Sequence, residues 1–284
     1  MMSLKPKSSK GKSSPDTKVA ENRREQAFTY HEDFVFGEGG FGKVYDGHRD
    51  PDGMAVSHKV AIKHIPLARV PMGKHERVPL EVFLMQKAAG GNHSGGSTAA
   101  ISLLDWQVKG DELILILERP FPCSDLFDYV ERKGGFLEEK EAKNIMHQLV
   151  KAAVELHRNG VFHRDIKDEN VLLDWSDGEL QARFIDFGCG TRAMEGHYDR
   201  FKAHPAGNGT YILLGFCCVR LTSYVCVLFI VGTRDYAPPE YIQLKRYRAS
   251  PTTVWQLGVL MYGLLEGNEP FATKGSFAKG STWI

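Results

Sequence analysis

Near residue 120 the hydrophobic pattern of this chain changes period, and no other feature limits its fold so strongly. Before that point apolar residues come in short runs. FVFGEGGFGKVYDG alternates apolar and small residues around its glycines, as two strands joined by a tight turn would. KVAIKHI (59–65) is rich in branched residues, and LILIL (113–117) suits a strand covered on both faces. One helix interrupts them: Pro79 opens PLEVFLMQKAAGG and the Gly90–Gly91 pair ends it. Beyond residue 120, Ala142, Ile145, Met146, Leu149, Val150, Ala153 and Leu156 keep helical spacing until Asn159–Gly160 stops the helix. VLL (171–173) and RFIDF (183–187) read as short strands, and VWQLGVLMYGLLEG as an apolar helix that must lie buried. The expectation is an α+β chain of two lobes: a small β-rich one over residues 27–118 and a larger helical one over 119–284.

Composition removes several function classes. A formal charge of +1 gives no global attraction to nucleic acid or an anionic membrane. Five cysteines, an odd number without paired-ligand spacing, argue against a disulfide framework or a zinc site. They read as reduced thiols, which places the chain in the cytoplasm or nucleus. Residues 1–26 are rich in Lys and Ser with no apolar core for a secretory signal, and are expected to form a mobile tail.

Four separated stretches carry chemistry. GEGGFG sets Gly37, Gly39 and Gly42 at G-x-G-x-x-G spacing, where backbone N–H groups can approach phosphate oxygens. A strand follows it instead of a helix, which disfavours a dinucleotide-binding fold. VAIK puts Lys63 on that strand, with Glu81 on the next helix as its candidate partner. FHRDIKDEN offers Asp165 to accept the proton of an attacking hydroxyl, Lys167 to neutralise a transferred phosphoryl group and Asn170 to ligate Mg²⁺. IDFG adds Asp186 as an anionic Mg²⁺ ligand.

In this order the four stretches make the chain resemble a protein kinase, which implies ATP and Mg²⁺ held between two lobes. LERPFPCSDLFDYV, HRDIKDENVLLD, GELQARFIDFGCG and SPTTVWQLG are similar to the Pim family of serine/threonine kinases, over about Phe34 to Phe271. Lys167, two residues after Asp165, and Thr233 in GTRDYAPPE match the serine/threonine-specific pattern. Pro120 stands where most kinases donate a backbone N–H to adenine; proline has none, so the Glu118 carbonyl is left as the acceptor. Thr253 replaces an aspartate common before V-W. The resemblance further implies that Val44, Ala61 and Leu172 enclose the adenine. Asp125, Asp128 and Glu169 would receive basic residues ahead of the target Ser or Thr, as rim charges that aid capture. Acids at helix starts are also commonplace for helix stability alone. The function implied is γ-phosphate transfer to Ser/Thr of basic-motif proteins by a monomer; the alternative is an impaired fragment that binds ATP or partners without turnover.

Two departures qualify the resemblance. Ala203–Val231 intervenes in the activation segment, and its stretch TYILLGFCCVRLTSYVCVLFIV is long enough for a bilayer, which needs about 20 residues. A single crossing there would put Asp186 and Thr233 on opposite sides of a membrane although both must meet Asp165, so no membrane span is expected. Strands prone to aggregate, of non-coding origin, are the reading that remains. The helical lobe also reads as truncated against the family, since its closing helices have no counterpart after EGNEPF.

Overall fold

The computed structural model describes residues 29–39, 42–50, 58–70, 78–90, 99–199, 236–268 and 270. The expected N-terminal tail, the apolar insertion at 203–231 and Thr233 lie outside the described residues.

Strands β1 (Tyr30–Gly39), β2 (Gly42–Arg49), β3 (His58–Pro66), β4 (Leu103–Lys109) and β5 (Glu112–Glu118) form one antiparallel sheet in the order β1-β2-β3-β5-β4. Strand alternation splits the apolar run of β5 between two clusters. Ile114 and Ile116 join Val60 and Ile62 on one face, while Leu113 and Leu115 enter the main core with Val82, Leu84 and Met85 of helix α1 (Leu80–Ala88). The expected double cover of LILIL is therefore present. Gly42 has a structural reason to be glycine: φ is 143°, and a Cβ there would collide with the His64 carbonyl oxygen.

The chain then becomes helical. Asp125 ends β6 (Cys123–Asp125) and caps α2 (Leu126–Arg132), its carboxylate accepting the Asp128 N–H at 2.7 Å. Helix α3 (Glu139–Arg158) buries Ala142, Ile145, Met146, Leu149, Ala152, Ala153 and Leu156. Val150, assigned above to that stripe, is exposed; Ala152 takes the place in the core. Gly160 follows the helix at φ 75°, the left-handed stop that its sequence predicts.

Helix α5 (Ala249–Glu266) packs against α3, but it is not buried all round. Val254, Met261 and Tyr262 face outward, whereas Leu257, Val259, Leu260 and Leu264 face the core. An 18-residue helix packed on one side by α3 keeps a free side, whatever its composition. RFIDF also departs from expectation: β9 (Gln181–Phe184) stops before Ile185, and Asp186 takes φ 60°, which no strand admits. β9 pairs with β8 (Val171–Asp174), and β8 with β6. Short pairs join β7 (Val161–Phe162) to β10 (Thr191–Arg192) and β11 (Tyr198–Asp199) to β12 (Arg246–Tyr247), with α4 (Pro239–Leu244) just before β12. The two parts of the molecule are stitched at Phe184, whose N–H donates to Ala99 O at 2.9 Å and whose carbonyl accepts from Ile101 at 3.0 Å. Among the described residues, no helix is long and apolar enough to cross a membrane.

Candidate active site

On β2 and β3, the paired positions Val44↔Lys63 and Asp46↔Ala61 share the sheet face that looks toward the helical part. Lys63 is only 5 % exposed. Its Nζ donates to Glu81 Oε1 of α1 at 2.8 Å and to Asp186 Oδ1 at 3.0 Å. Burial pulls the ammonium toward neutrality, but Asp186 and Glu81 outweigh it and hold Lys63 above the usual lysine value. For Asp186, burial pushes upward and the Lys63 charge more than offsets it, so its carboxyl stays below the ordinary range. A lysine from the sheet, a glutamate from α1 and an aspartate 123 residues further along the chain thus meet at one point.

Below them lies the loop between β7 and β8. Asn170 Nδ2 donates to the Asp165 carbonyl at 2.8 Å and to Asp165 Oδ2 at 3.0 Å, so the amide is oriented with its oxygen turned away. His163 Nε2–H donates to Ile185 O at 2.9 Å, and its Nδ1 faces the Asp165 N–H at 3.4 Å. Those partners fix the neutral ring, and burial keeps its pKa below the histidine norm. Arg164 and Asp186 both hold positive φ, 71° and 60°. Non-glycine residues in that region carry about 1–3 kcal/mol of strain each, which surrounding contacts must hold in place. Gln256 of α5 supplies two of them, donating to Arg164 O at 2.6 Å and accepting from Ile166 N–H at 3.4 Å.

The sequence-predicted residues divide into groups. Lys63, Glu81 and Asp186 meet in one cluster and Asp165 and Asn170 in another, and the Ile185 N–H links the two by donating to Asn170 O at 3.0 Å. Val44 and Ala61 are half-buried on the same face as Lys63, and Leu172 of β8 is half-buried at the edge of the main core. Among the described residues, no atom lies within 4 Å of the point a Cβ on Gly37 would occupy, while Gly39 pairs with Gly42. Lys167 and Glu169 are ion-paired with each other, so the predicted phosphoryl contact and the predicted substrate contact each occupy the other. Asp125 is spoken for as the α2 cap; Asp128 stands exposed in the same first turn.

Three further residues shape the site and escaped the sequence reading. Arg183 of β9 forks onto Glu118, Nη1 to Oε1 at 2.7 Å and Nη2 to Oε2 at 2.9 Å, and also bonds Ala100 O. Asp46, buried on the lysine face, pairs with Arg119 at 2.9 Å. Gln256 is the third. A charge inside a short strand and a polar residue inside an apolar helix face were the available signals.

The donor set fits a magnesium nucleotide: the oriented Asn170 oxygen and the anionic Asp186 are hard oxygen ligands, and open backbone at Gly37 leaves room for phosphates.

Comparison with known proteins agrees with this geometry. Residues 30–281 match the family model described as "Protein kinase domain". The serine/threonine-protein kinase pim-2 of Danio rerio is 37 % identical over 244 residues, 84 % of this chain and 67 % of the relative. This chain belongs to the protein kinase family, on its Pim-like serine/threonine branch. The serine/threonine-protein kinase prk-2 of Caenorhabditis elegans is 31 % identical over 83 % of this chain, which spans 44 % of that relative. A Schizosaccharomyces pombe serine/threonine kinase, ppk6, is 28 % identical, and this kinase chain spans 24 % of it. The α+β arrangement of a β-rich and a helical part is the two-lobed fold of the family.

Proposed function

We propose that this chain transfers the γ-phosphoryl group of ATP to Ser or Thr of proteins whose target is preceded by basic residues. The reading is supported by the buried Lys63–Glu81–Asp186 cluster and by the Asp165–Asn170 pair, which is tied to the residue before Asp186 by the Ile185 N–H donating to Asn170 O at 3.0 Å. An ammonium, two carboxylates and an oriented amide at one seam suit a metal-bound triphosphate and little else. ATP and Mg²⁺, when bound, supply the transferable group and the charge that neutralises it. Residues 27–118 would act as the small lobe and residues from 119 onward as the large one.

In this reading Lys63, braced by Glu81, orients the phosphates, and the backbone from Gly37 through Gly39 to Gly42 covers them. Asp186 and Asn170 hold the metal. Val44, Ala61 and Leu172 flank the base, and the Glu118 carbonyl accepts from it. Asp165 aligns the attacking hydroxyl and takes its proton. Lys167 leaves Glu169 to meet the transferred group, which in turn frees Glu169 for a basic substrate side chain beside Asp125, Asp128 and Thr233. Most of the acceleration comes from positioning and fixed charge, since no covalent enzyme intermediate is needed.

The test is phosphate incorporation into an arginine-rich serine peptide with ATP and Mg²⁺. Asp165→Asn is expected to lose about 10²–10⁴-fold in turnover. Equal turnover in that variant would remove Asp165 as the base. ATP-dependent thermal stabilisation without peptide phosphorylation in the unsubstituted chain would favour a binding-only role instead.

A further inference from the structure

The far end of the β1–β2 pair carries a second cluster that the phosphoryl-transfer site does not use. His31 and His48 are Cα partners across the ladder, and their imidazoles stack with centroids 5.0 Å apart and planes at 17°. Asp50 joins them, its Oδ2 2.7 Å from His31 Nε2. Among the described residues, these three present ligand atoms that all lie within 4.8 Å of one another.

We propose that His31, His48 and Asp50 form a binding site for a divalent transition metal of the zinc class. Two imidazoles and one carboxylate suit Zn²⁺, Ni²⁺ or Cu²⁺, whereas Mg²⁺ and Ca²⁺ prefer all-oxygen shells. At ordinary Zn–N and Zn–O lengths, donors around one tetrahedral ion stand about 3.3 Å apart. The present spread closes by rotation of exposed side chains: His31 and Asp50 have side chains 45 % and 53 % exposed. The backbone beneath them is already set, because paired strands hold the two histidines and the Asp50 N–H donates to Thr29 O at 2.9 Å. Preorganisation of that kind removes much of the ordering penalty of a chelate.

Around the cluster, Asp33 holds the His48 ring by Nδ1 at 3.0 Å, the carboxylate–histidine arrangement that orients metal ligands. Lys59 lies 3.7 Å from Asp33, and Arg49 follows His48 on β2, so positive charge stands beside the cluster. β1 is an edge strand with one neighbour in the sheet. A metal here would tie its beginning to the end of β2, opposite the glycine turn, and so fasten the strand whose far end is expected to cover phosphates.

The experiment uses the full chain stripped of metal by chelation, with Co²⁺ as a spectroscopic probe, Zn²⁺ as competitor and Mg²⁺ as control. The expected result is one bound equivalent of Co²⁺, displaced by Zn²⁺ and not by Mg²⁺, with visible bands of nitrogen–oxygen ligation. His31→Ala/His48→Ala is expected to lose that equivalent, and to lose the rise in thermal midpoint that Zn²⁺ gives the unsubstituted chain. Asp33→Asn, which touches a ligand without being one, is expected to weaken binding about 10–100-fold. Circular dichroism and ATP-dependent stabilisation check that the double variant folds; should it not, Asp50→Asn provides the same comparison. Equal stoichiometry and affinity in the unsubstituted chain and these variants would overturn the proposal. So would a cobalt spectrum dominated by thiolate ligation, or no binding at all; the last outcome would leave the cluster a hydrogen-bonded charge network.

Discussion

Arg183→Met isolates the contact that fixes the segment between the two lobes. Arg183 is 7 % exposed, and its guanidinium makes two bonds to Glu118, one to Asp174 at 3.3 Å and one to Ala100 O at 2.9 Å. Methionine fills a similar volume but leaves two carboxylates and a carbonyl without that partner. Asp174 is 4 % exposed and, among the described residues, keeps the Ser176 N–H alone, so most of the penalty falls there. Removing one member of a buried ion pair costs about 3–5 kcal/mol. Glu118 is partly open to solvent, which screens its share and points to about 3 kcal/mol. For a domain of this size each kcal/mol moves the midpoint by about 2–4 °C, giving a fall of about 6–12 °C.

Paired with Glu118→Gln in a double-mutant cycle, the coupling should reach about 1.5–3 kcal/mol, the range of contacting residues in one network. Acid should shrink the difference between the unsubstituted chain and Arg183→Met. Burial raises the Glu118 carboxyl, but hydrogen bonds from Arg183 and Ser102 more than offset this and leave it below the carboxylate norm. Its stabilisation is therefore full above the unfolded glutamate value of about 4.3 and is lost as pH falls through the lower folded value. Urea or thermal melts read all of this. A midpoint within about 1 °C of the unsubstituted chain, or strictly additive substitutions, would refute the assignment of Arg183 as the clamp.

Other outcomes follow from the catalytic loop. Gln256→Leu removes the side chain that bonds on both sides of Asp165 and takes a donor from the buried Arg164 carbonyl, at a cost of about 1–3 kcal/mol. Steady-state kinetics should show kcat falling more than KM rises, because Gln256 bonds the backbone of the loop that carries Asp165. An unchanged kcat in a folded protein would place the loop's support elsewhere. His163 is buried neutral with a folded pKa below that of the unfolded ring. Its contribution is full above about pH 6.5 and is lost as pH falls through that value toward the depressed one. His163→Phe should flatten the stability profile between about pH 7 and 5, as followed by urea midpoints; an unaltered slope would mean the ring is not held neutral.

How far the sequence carried the reading can be judged from particular residues. LILIL was legible because strand alternation sends Leu113 and Leu115 one way and Ile114 and Ile116 the other, a consequence of local geometry. The helical stripe of α3 was legible in the same way, except that Val150 lies at its edge, where the shape of the partner decides exposure. α5 misled for a related reason. Its composition is apolar all round, and only the position of α3 determines that Val254 and Met261 face outward.

The chemical residues followed the same division. Glycines, VAIK, HRDIKDEN and IDFG are local strings, and each announces a group with a task, so the sequence alone determined the family and the residue types at the site. It also determined where helices stop, since a positive φ at Gly160 needs no distant partner. Which side chain meets which was decided by tertiary structure. Arg183 on Glu118, Arg119 on Asp46 and Gln256 on the backbone of Arg164 each join positions far apart in the chain. The physical reason is one of range: backbone preference and periodicity act over a few residues, whereas a buried charge or amide must find its partner wherever packing brings one within about 3 Å.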